Sequence, residues 1–326
     1  MNKDNSNPLV TLTLFSYNQE KYIQQAVKSA LEQDYSPLEI IISDDCSTDT
    51  TLELIKKMVA AYKGAHTVRI NHMSQNVGFA RHLNHVFDMA EGEIIVVAAG
   101  DDICFPNKVS ALAQPMLENK NVTGVHSGVI EIDTNGQEIR QNDISNPELL
   151  ADPCRIIESS LAVASQSHAF RKSVHEFFGP YEPFITNEGK IMAFRESLKG
   201  RILYLSKPLT YYRVGSGIST YNGIDIDKLT LDEPRKIASW NYTSILQIEK
   251  DSKIEHSNTQ PMQDIIKRKK THYKNIYSIN STRYDLTSLI PLITYPPVFL
   301  QGLKALIRTN SPHIVRALYA KKILKK

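Results

Sequence analysis

Cysteine, tryptophan and glycine-rich loops are all scarce in this chain of 326 residues. Its three cysteines, Cys46, Cys104 and Cys154, are too few for a disulfide framework, and their spacing fits no zinc motif. Trp240, the single tryptophan, lies outside every motif and reads as a core residue. No G-x-x-x-x-G-K-[ST] run is present, which excludes a P-loop. No G-x-G-x-x-G follows the first apolar run, so the dinucleotide fingerprint is missing. A G-x-S-x-G elbow is also lacking. The opening MNKDNSNPLVTLTLF has no apolar core of signal-peptide length. The longest charge-free stretch, Leu286–Leu303, is interrupted by Pro291, Pro296 and Pro297 and is marginal for a spanning helix. A reducing, cytosolic setting is the expectation.

What is present is unevenly placed. The net charge of +3 is a cancellation: residues 1–224 hold 20 basic and 26 acidic side chains, residues 225–326 hold 18 and 9. The length suits two domains, and the charge divides them near residue 224.

The first 120 residues alternate between β-formers and helical patterns. Leu9–Phe15 and Leu38–Ser43 read as strands, the second apolar throughout, as in a strand covered on both faces. Asn18 reads as a helix N-cap before Ile23, Val27, Ala30 and Leu31. Thr50 and Glu53 read as a capping box before a helix burying Leu52, Ile55, Val59 and Tyr62. Val68–Asn71, a helix marked by Phe79, Leu83 and Val86, and a strand Glu93–Ala99 follow. This order predicts a mostly parallel sheet covered by helices. Later, Val122–Asp133 and the turn Asp133–Gly136 predict a hairpin. Ala162–Phe170 and Ile202–Tyr204 read as strands around a helix at Glu188–Lys199, and residues 233–250 and 261–278 as helices.

In an open parallel sheet, ligands bind outside the carboxyl ends of the strands. Three predicted strands end there in Ser16-Tyr17-Asn18, Asp44-Asp45 and Asp101-Asp102. Two acidic pairs on one edge repel unless a cation offsets them. Hard divalent ions are held by one or two carboxylates plus substrate phosphates, so the pattern suggests Mg²⁺ or Mn²⁺ with a phosphorylated ligand. Asp is also a common turn former, which would explain one such pair more readily than two. His82 and His85, three apart with no third ligand nearby, read as surface or packing residues.

The order F-S-Y-N, S-D-D-C-S-T-D, Q-N-V-G-F-A-R-H-L-N and A-E-G-E-I-I-V-V-A-A-G-D-D resembles the family 2 glycosyltransferases, inverting enzymes with a GT-A fold. The match is close over residues 9–110. It extends more weakly to Ser219 through S-H-A-F-R-K, N-E-G-K-I-M-A-F-R and K-P-L-T-Y-Y-R-V-G-S-G-I-S. The resemblance implies a GT-A domain over 1–224, with a nucleotide-sugar half (9–120) and an acceptor half (121–224). Residues 225–326 form a helical, basic region outside it. Phe15, Tyr17 and Asn18, with Glu20 nearby, would line the nucleotide pocket, and Asp45 would hydrogen-bond the base, usually uracil. Asn76, Gly78 and Arg81 would flank the donor, Asp101 would touch the ribose or sugar, and Asp102 would ligate Mg²⁺ or Mn²⁺. Arg213 would hold the diphosphate.

Two positions depart from the family pattern. Its usual general base is an Asp six residues before an Arg; here Gly189 stands six before Arg195, leaving Glu188 as the substitute. The His that often follows Y-Y-R by two residues is Gly215. His168 and Arg171 lie in the acceptor-side region, as acceptor contacts or structural groups. The implied function is sugar transfer from a nucleotide-diphosphate donor, a UDP-sugar by the resemblance, to a glycan or lipid-linked acceptor in bacterial O-antigen, capsule or lipopolysaccharide assembly. The alternatives are a non-catalytic nucleotide-sugar or glycan-binding subunit, favoured by Gly189, and a nucleotidyltransferase, disfavoured by the lack of a Gly-rich loop after the first strand. In the tail, Lys267–Lys270 and the lysines at 321, 322, 325 and 326 bracket the proline-broken apolar segment. That pattern suits docking on the anionic inner face of a membrane. Nucleic acid is disfavoured, since no aromatic platform for bases is evident.

Overall fold

A computed structural model describes residues 7–143, 147–159, 165–186, 188–216, 232–254 and 259–281. They fall into two compact units, one within Met1–Thr220 and Asp251–Ser257, the other within Tyr221–Lys250 and Asn258–Lys326.

The first unit is built on a nine-stranded sheet. Strands β1 (Val10–Ser16), β2 (Leu38–Asp44), β3 (Thr67–His72) and β4 (Ile94–Ala99) lie in the order 3-2-1-4, all parallel. Helices α1 (Ile23–Leu31), α2 (Thr51–Ala61) and α3 (Phe79–Met89) connect them. β2 is buried at every residue, which is why its sequence shows no alternation. The sheet core joins Leu12, Leu14, Ile40, Ile42, Ile94 and Val96 to Ile23, Val27 and Ala30 of α1. Burying each such side chain contributes about 1.5–3 kcal/mol.

Beyond β4 the direction reverses. After the short β5 (Ile103–Cys104) and α4 (Lys108–Glu118) come β6 (Val122–Ile132) and β7 (Glu138–Asn142), the expected hairpin. Next in the chain are α5 (Pro153–Glu158), β8 (His168–Arg171), α6 (Lys172–Phe178), α7 (Gly189–Lys199) and β9 (Arg201–Arg213). β8 is inserted antiparallel between β4 and β6, and β9 runs parallel to β6 and antiparallel to β5. The sheet is thus largely parallel, through β3-β2-β1-β4 and again through β6 and β9, with β5, β7 and β8 antiparallel.

Several local expectations need correction. Asn18 caps no helix: α1 begins at Ile23 behind Tyr22, and Asn18 sits in the left-handed region at φ 50°. Thr50 precedes α2, but its side chain makes no cap hydrogen bond, so the capping box does not form. Within α2 the packed face is Ile55 with Leu54, Met58 and Val59, rather than Leu52 and Tyr62. β8 begins at His168, with a 3-10 turn at Ser165–Ser167 where strand was foreseen, and residues 162–164 of that expectation lie outside the described residues. β9 is much longer, running through Pro208 to Arg213.

The second unit is described through α8 (Asp232–Ile254), whose last residues belong to the first unit, and α9 (Gln260–Ser281). Lys270 of the basic run on α9 pairs with Glu249 at 2.5 Å. The proline-broken segment and the terminal lysines, on which the membrane expectation rests, lie outside the described residues. Among the described residues no helix is long and apolar enough to cross a membrane.

Candidate functional site

The order 3-2-1-4 places a switch in connection direction between β1 and β4, and there the three polar strand ends converge. Ser16 is in register with Asp44, and Phe15 with Ala99. The loops after β1 and β2 are stitched together by side chains. The Asn18 carboxamide oxygen accepts from Thr48 N–H at 2.8 Å, and Asn18 N–H donates to Ser47 Oγ at 2.8 Å. Glu20 accepts from both Thr50 N–H (3.1 Å) and Thr50 Oγ (2.7 Å). This is where the Thr50 hydroxyl goes instead of capping α2. Asp44 accepts from Ser47 N–H at 2.8 Å and faces His72 Nδ1 at 3.2 Å, so the first Asp of its pair holds the turn.

Asp45 is buried, and its two oxygens accept N–H groups from Val77 (2.9 Å) and Gly78 (3.1 Å). It thus clamps the loop that leads into α3. Contact with a base would use the lone pairs that these bonds leave over. Gly78, at φ 82°, makes the turn into α3, and Asn76 and Arg81 are exposed beside it. Tyr17 is exposed at the rim. Phe15 is half-buried, its ring edge-on to His82 and Phe87. His82 is a packing residue, as foreseen: it is buried with Nε2 2.6 Å from Ser43 Oγ. Burial pulls its pKa down to about 4 against the opposing charges of Asp45 and Asp44.

A second cluster forms at the end of β4. Asp101 and Asp102 are both buried. Asp101 accepts from Ser216 Oγ at 2.8 Å, and Asp102 Oδ1 accepts from Arg213 N–H at 2.8 Å. Asp102 Oδ2 is buried with no hydrogen-bond partner. Burial raises the Asp101 carboxyl above its usual range. Asp102 lies well above it, through burial first and the neighbouring Asp101 charge second. Two enclosed carboxylates with one bare oxygen fit a hard cation, which accepts oxygen ligands and offsets the repulsion.

Arg213 differs from expectation. Its Nε donates to Asp101 O (2.9 Å), Nη1 to Asp133 O (3.0 Å) and Nη2 to Gln25 Oε1 (2.8 Å), and it lies 4.5 Å over the Tyr22 ring. Only 2% exposed, it braces the Asp101–Asp102 turn through these bonds. Tyr22, Gln25, Asp133 and Ser216 thereby join the site. Ser216 sat in a quoted motif and Asp133 in the predicted turn, whereas Tyr22 and Gln25 carried no signal of their own. Arg171 is likewise structural, donating to Val122 O and Met116 O.

Glu188 is buried immediately before the first residue of α7. Its charge adds to the burial that lifts the Tyr181 phenol well above its usual value, while Arg195 opposes. Arg195, the fixed point of the motif around Gly189, forms a fully buried bidentate pair with Asp251 at 2.7 and 3.1 Å.

Comparison with known proteins bears on the fold and the family. Over 272 residues the chain is 28% identical to the chondroitin synthase of Pasteurella multocida, covering 79% of this chain and 27% of that one. Over 213 residues it is 27% identical to an uncharacterized glycosyltransferase of Nostoc sp., covering 63% and 64%. It thus spans less than two thirds of the length of these relatives. Among solved structures it is similar to residues 1–349 of S. aureus TarS in complex with UDP-GlcNAc. That match has TM-score 0.55 and 18% identity, over 92% of this chain and 80% of that one. It is also similar to the mannosyltransferase PcManGT from Pyrobaculum calidifontis in complex with GDP-Man and Mn²⁺, with TM-score 0.56 and 14% identity over 94% and 88%. These likenesses show the GT-A fold. The family model described as glycosyl transferase family 2 matches residues 13–178, from within β1 to the end of α6. That span is half the chain and takes in both Asp pairs and the loops they brace: the chain belongs to glycosyl transferase family 2.

Proposed function

We propose that the chain transfers a sugar, with inversion, from a nucleoside-diphosphate donor to a glycan or lipid-linked acceptor in bacterial surface-polysaccharide assembly. One observation carries this reading: the buried Asp101–Asp102 pair at the end of β4, with Asp102 Oδ2 left without a partner. The nucleotide-sugar complexes of its structural neighbours and the polysaccharide synthases among its relatives support the class of donor and product.

In this reading Asp102 Oδ2 would hold Mg²⁺ or Mn²⁺, which supplies positive charge against the leaving diphosphate. Asp101, oriented by Ser216, contacts the donor ribose or sugar, and Tyr17, Phe15 and the stitched loops around Asn18 and Glu20 line the nucleotide side. Asn76, Gly78 and Arg81 flank the donor at the start of α3. Asp45 fixes that loop and reads the base through its remaining lone pairs. Glu188 accepts the proton of the acceptor hydroxyl as general base, and attack on the face opposite the diphosphate inverts the anomeric carbon. Residues 1–224 form the catalytic part, and the basic tail docks on an anionic membrane surface.

Calorimetry with UDP, GDP and their sugars, with and without Mn²⁺, tests the donor side. Metal-dependent binding by wild type that is lost in Asp102→Asn is expected. Glu188→Gln should bind donor normally and turn over at least about a hundredfold more slowly. Normal turnover in that variant removes Glu188 as the base. Gly189 at the usual base position favours a second reading, a non-catalytic nucleotide-sugar subunit, and donor binding without transfer to any acceptor would support it.

A further inference from the structure

Away from the β1–β4 edge, three side chains meet at the antiparallel β6–β8 pair. His126 on β6 and His168 on β8 are cross-strand partners. Their rings are parallel within 8° with centroids 4.5 Å apart. Glu196 of α7 reaches both: Oε2 lies 3.2 Å from His126 Nε2, and Oε1 lies 3.1 Å from His168 Nε2. The three are 0%, 1% and 0% exposed. Strand β6 opens the space with a glycine, since a Cβ at Gly124 would lie 2.1 Å from Glu196 Oε2.

We propose that His126, His168 and Glu196 form a second, structural metal site, taking a divalent transition-metal ion such as Zn²⁺. Two imidazoles and a carboxylate suit a borderline cation, unlike the all-oxygen Asp pair. Bonds of about 2.1 Å at angles between 90° and 109° place neighbouring ligand atoms about 3.0–3.4 Å apart. The two N···O distances, 3.2 and 3.1 Å, fall in that range. All the donor atoms lie within 4.8 Å of one another. Two nitrogens at that limit have to approach by about 1.4–1.8 Å to take neighbouring positions on one ion. Without metal, Glu196 draws the His126 ring proton to Nε2; an ion that replaces it there leaves the proton on Nδ1, which has no other hydrogen bond to lose. An enclosed carboxylate also costs several kcal/mol without an opposing charge, which an ion bound by both rings supplies. The site joins β6, β8 and α7. It is closed to substrate, and its effect on the reaction is confined to holding α7, whose N-terminal end carries Glu188.

The test uses the full chain, loaded with Zn²⁺ or Co²⁺, desalted and analysed for metal. The Asp102→Asn variant separates this site from the donor-side ion. About one ion per chain is expected in both wild type and Asp102→Asn, with loss in His168→Gln and Glu196→Gln. Co²⁺ should give visible absorption that nucleotide leaves unchanged. If the substituted chains fail to fold, stripped wild type still decides the matter. At about a hundredfold excess over Kd, Zn²⁺ should raise its Tm by about 5–10 °C, and Mg²⁺ should not. A loaded wild-type chain that retains no metal and melts unchanged overturns the proposal and leaves a hydrogen-bonded His–Glu–His triad. Equal retention of zinc by Glu196→Gln also overturns it.

Discussion

Replacing Arg213 by Met should damage the protein before it damages donor binding. The guanidinium makes three hydrogen bonds, to Asp101 O, Asp133 O and Gln25 Oε1, at 2.8–3.0 Å, and stacks on Tyr22. Hydrogen bonds from a charged donor are worth about 1.5–3 kcal/mol each, and their losses overlap when the groups share one scaffold. A net loss of about 4 kcal/mol follows, or about 8–16 °C in Tm for a unit of this size. Arg213→Lys keeps the charge but not the fork, so it should recover less than half of that loss. The backbone bond from residue 213 to Asp102 survives both changes, so the carboxylate itself stays in place. Thermal melts followed by circular dichroism, with donor titration on the cold protein, separate the two possible roles. A Tm within about 2 °C of wild type together with a donor affinity about tenfold weaker would refute the bracing role and return Arg213 to the diphosphate.

Two further perturbations probe the same unit. An unfolded His82 titrates near 6.5, whereas burial holds the folded one at about 4. Below pH 6.5 the unfolded chain takes a proton that the folded chain refuses. Stability should therefore fall as pH drops from 6.5 to 4, by at most about 3 kcal/mol. Urea midpoints at neutral pH and near pH 4.5 should differ less in His82→Gln than in wild type, and equal losses would count against the assignment. Asp251→Asn leaves Arg195 buried beside a neutral partner and should cost about 3–5 kcal/mol in denaturant unfolding. A loss under about 1 kcal/mol would show that the pair carries little.

The parallel half of the fold was legible because buried strands ending in polar turns leave a strong pattern, as in Leu38–Asp45 and Glu93–Asp102. The convergence of the two Asp pairs followed from strand direction alone. What each oxygen does was not legible. The Asp45 clamp depends on backbone N–H groups more than thirty residues away, and backbone donors have no sequence signature. Arg213 read as a ligand group through the family resemblance of its Y-Y-R motif, but its acceptors come from positions as far back as Gln25. His126, His168 and Glu196 are up to seventy residues apart, beyond the reach of any spacing rule. β9 was cut short in the sequence because Lys207-Pro208 interrupts its β-formers.

That interruption has a use. β6 pairs Ser127 with Leu205 and then Gly128 with Pro208, so Ser206 and Lys207 are left over, exposed, and a second shift follows before Ile130 comes opposite Tyr211. A strand with spare length at one point can absorb a change in length there. One residue inserted or removed at 206–207 should alter only the size of the bulge, leaving Arg213 opposite Ile132 and its N–H on Asp102. The strand that carries the brace of the site thus contains its own expansion joint. This is a position at which the chain can drift in length, or take a small reporter group, while the Asp101–Asp102 turn stays where it is.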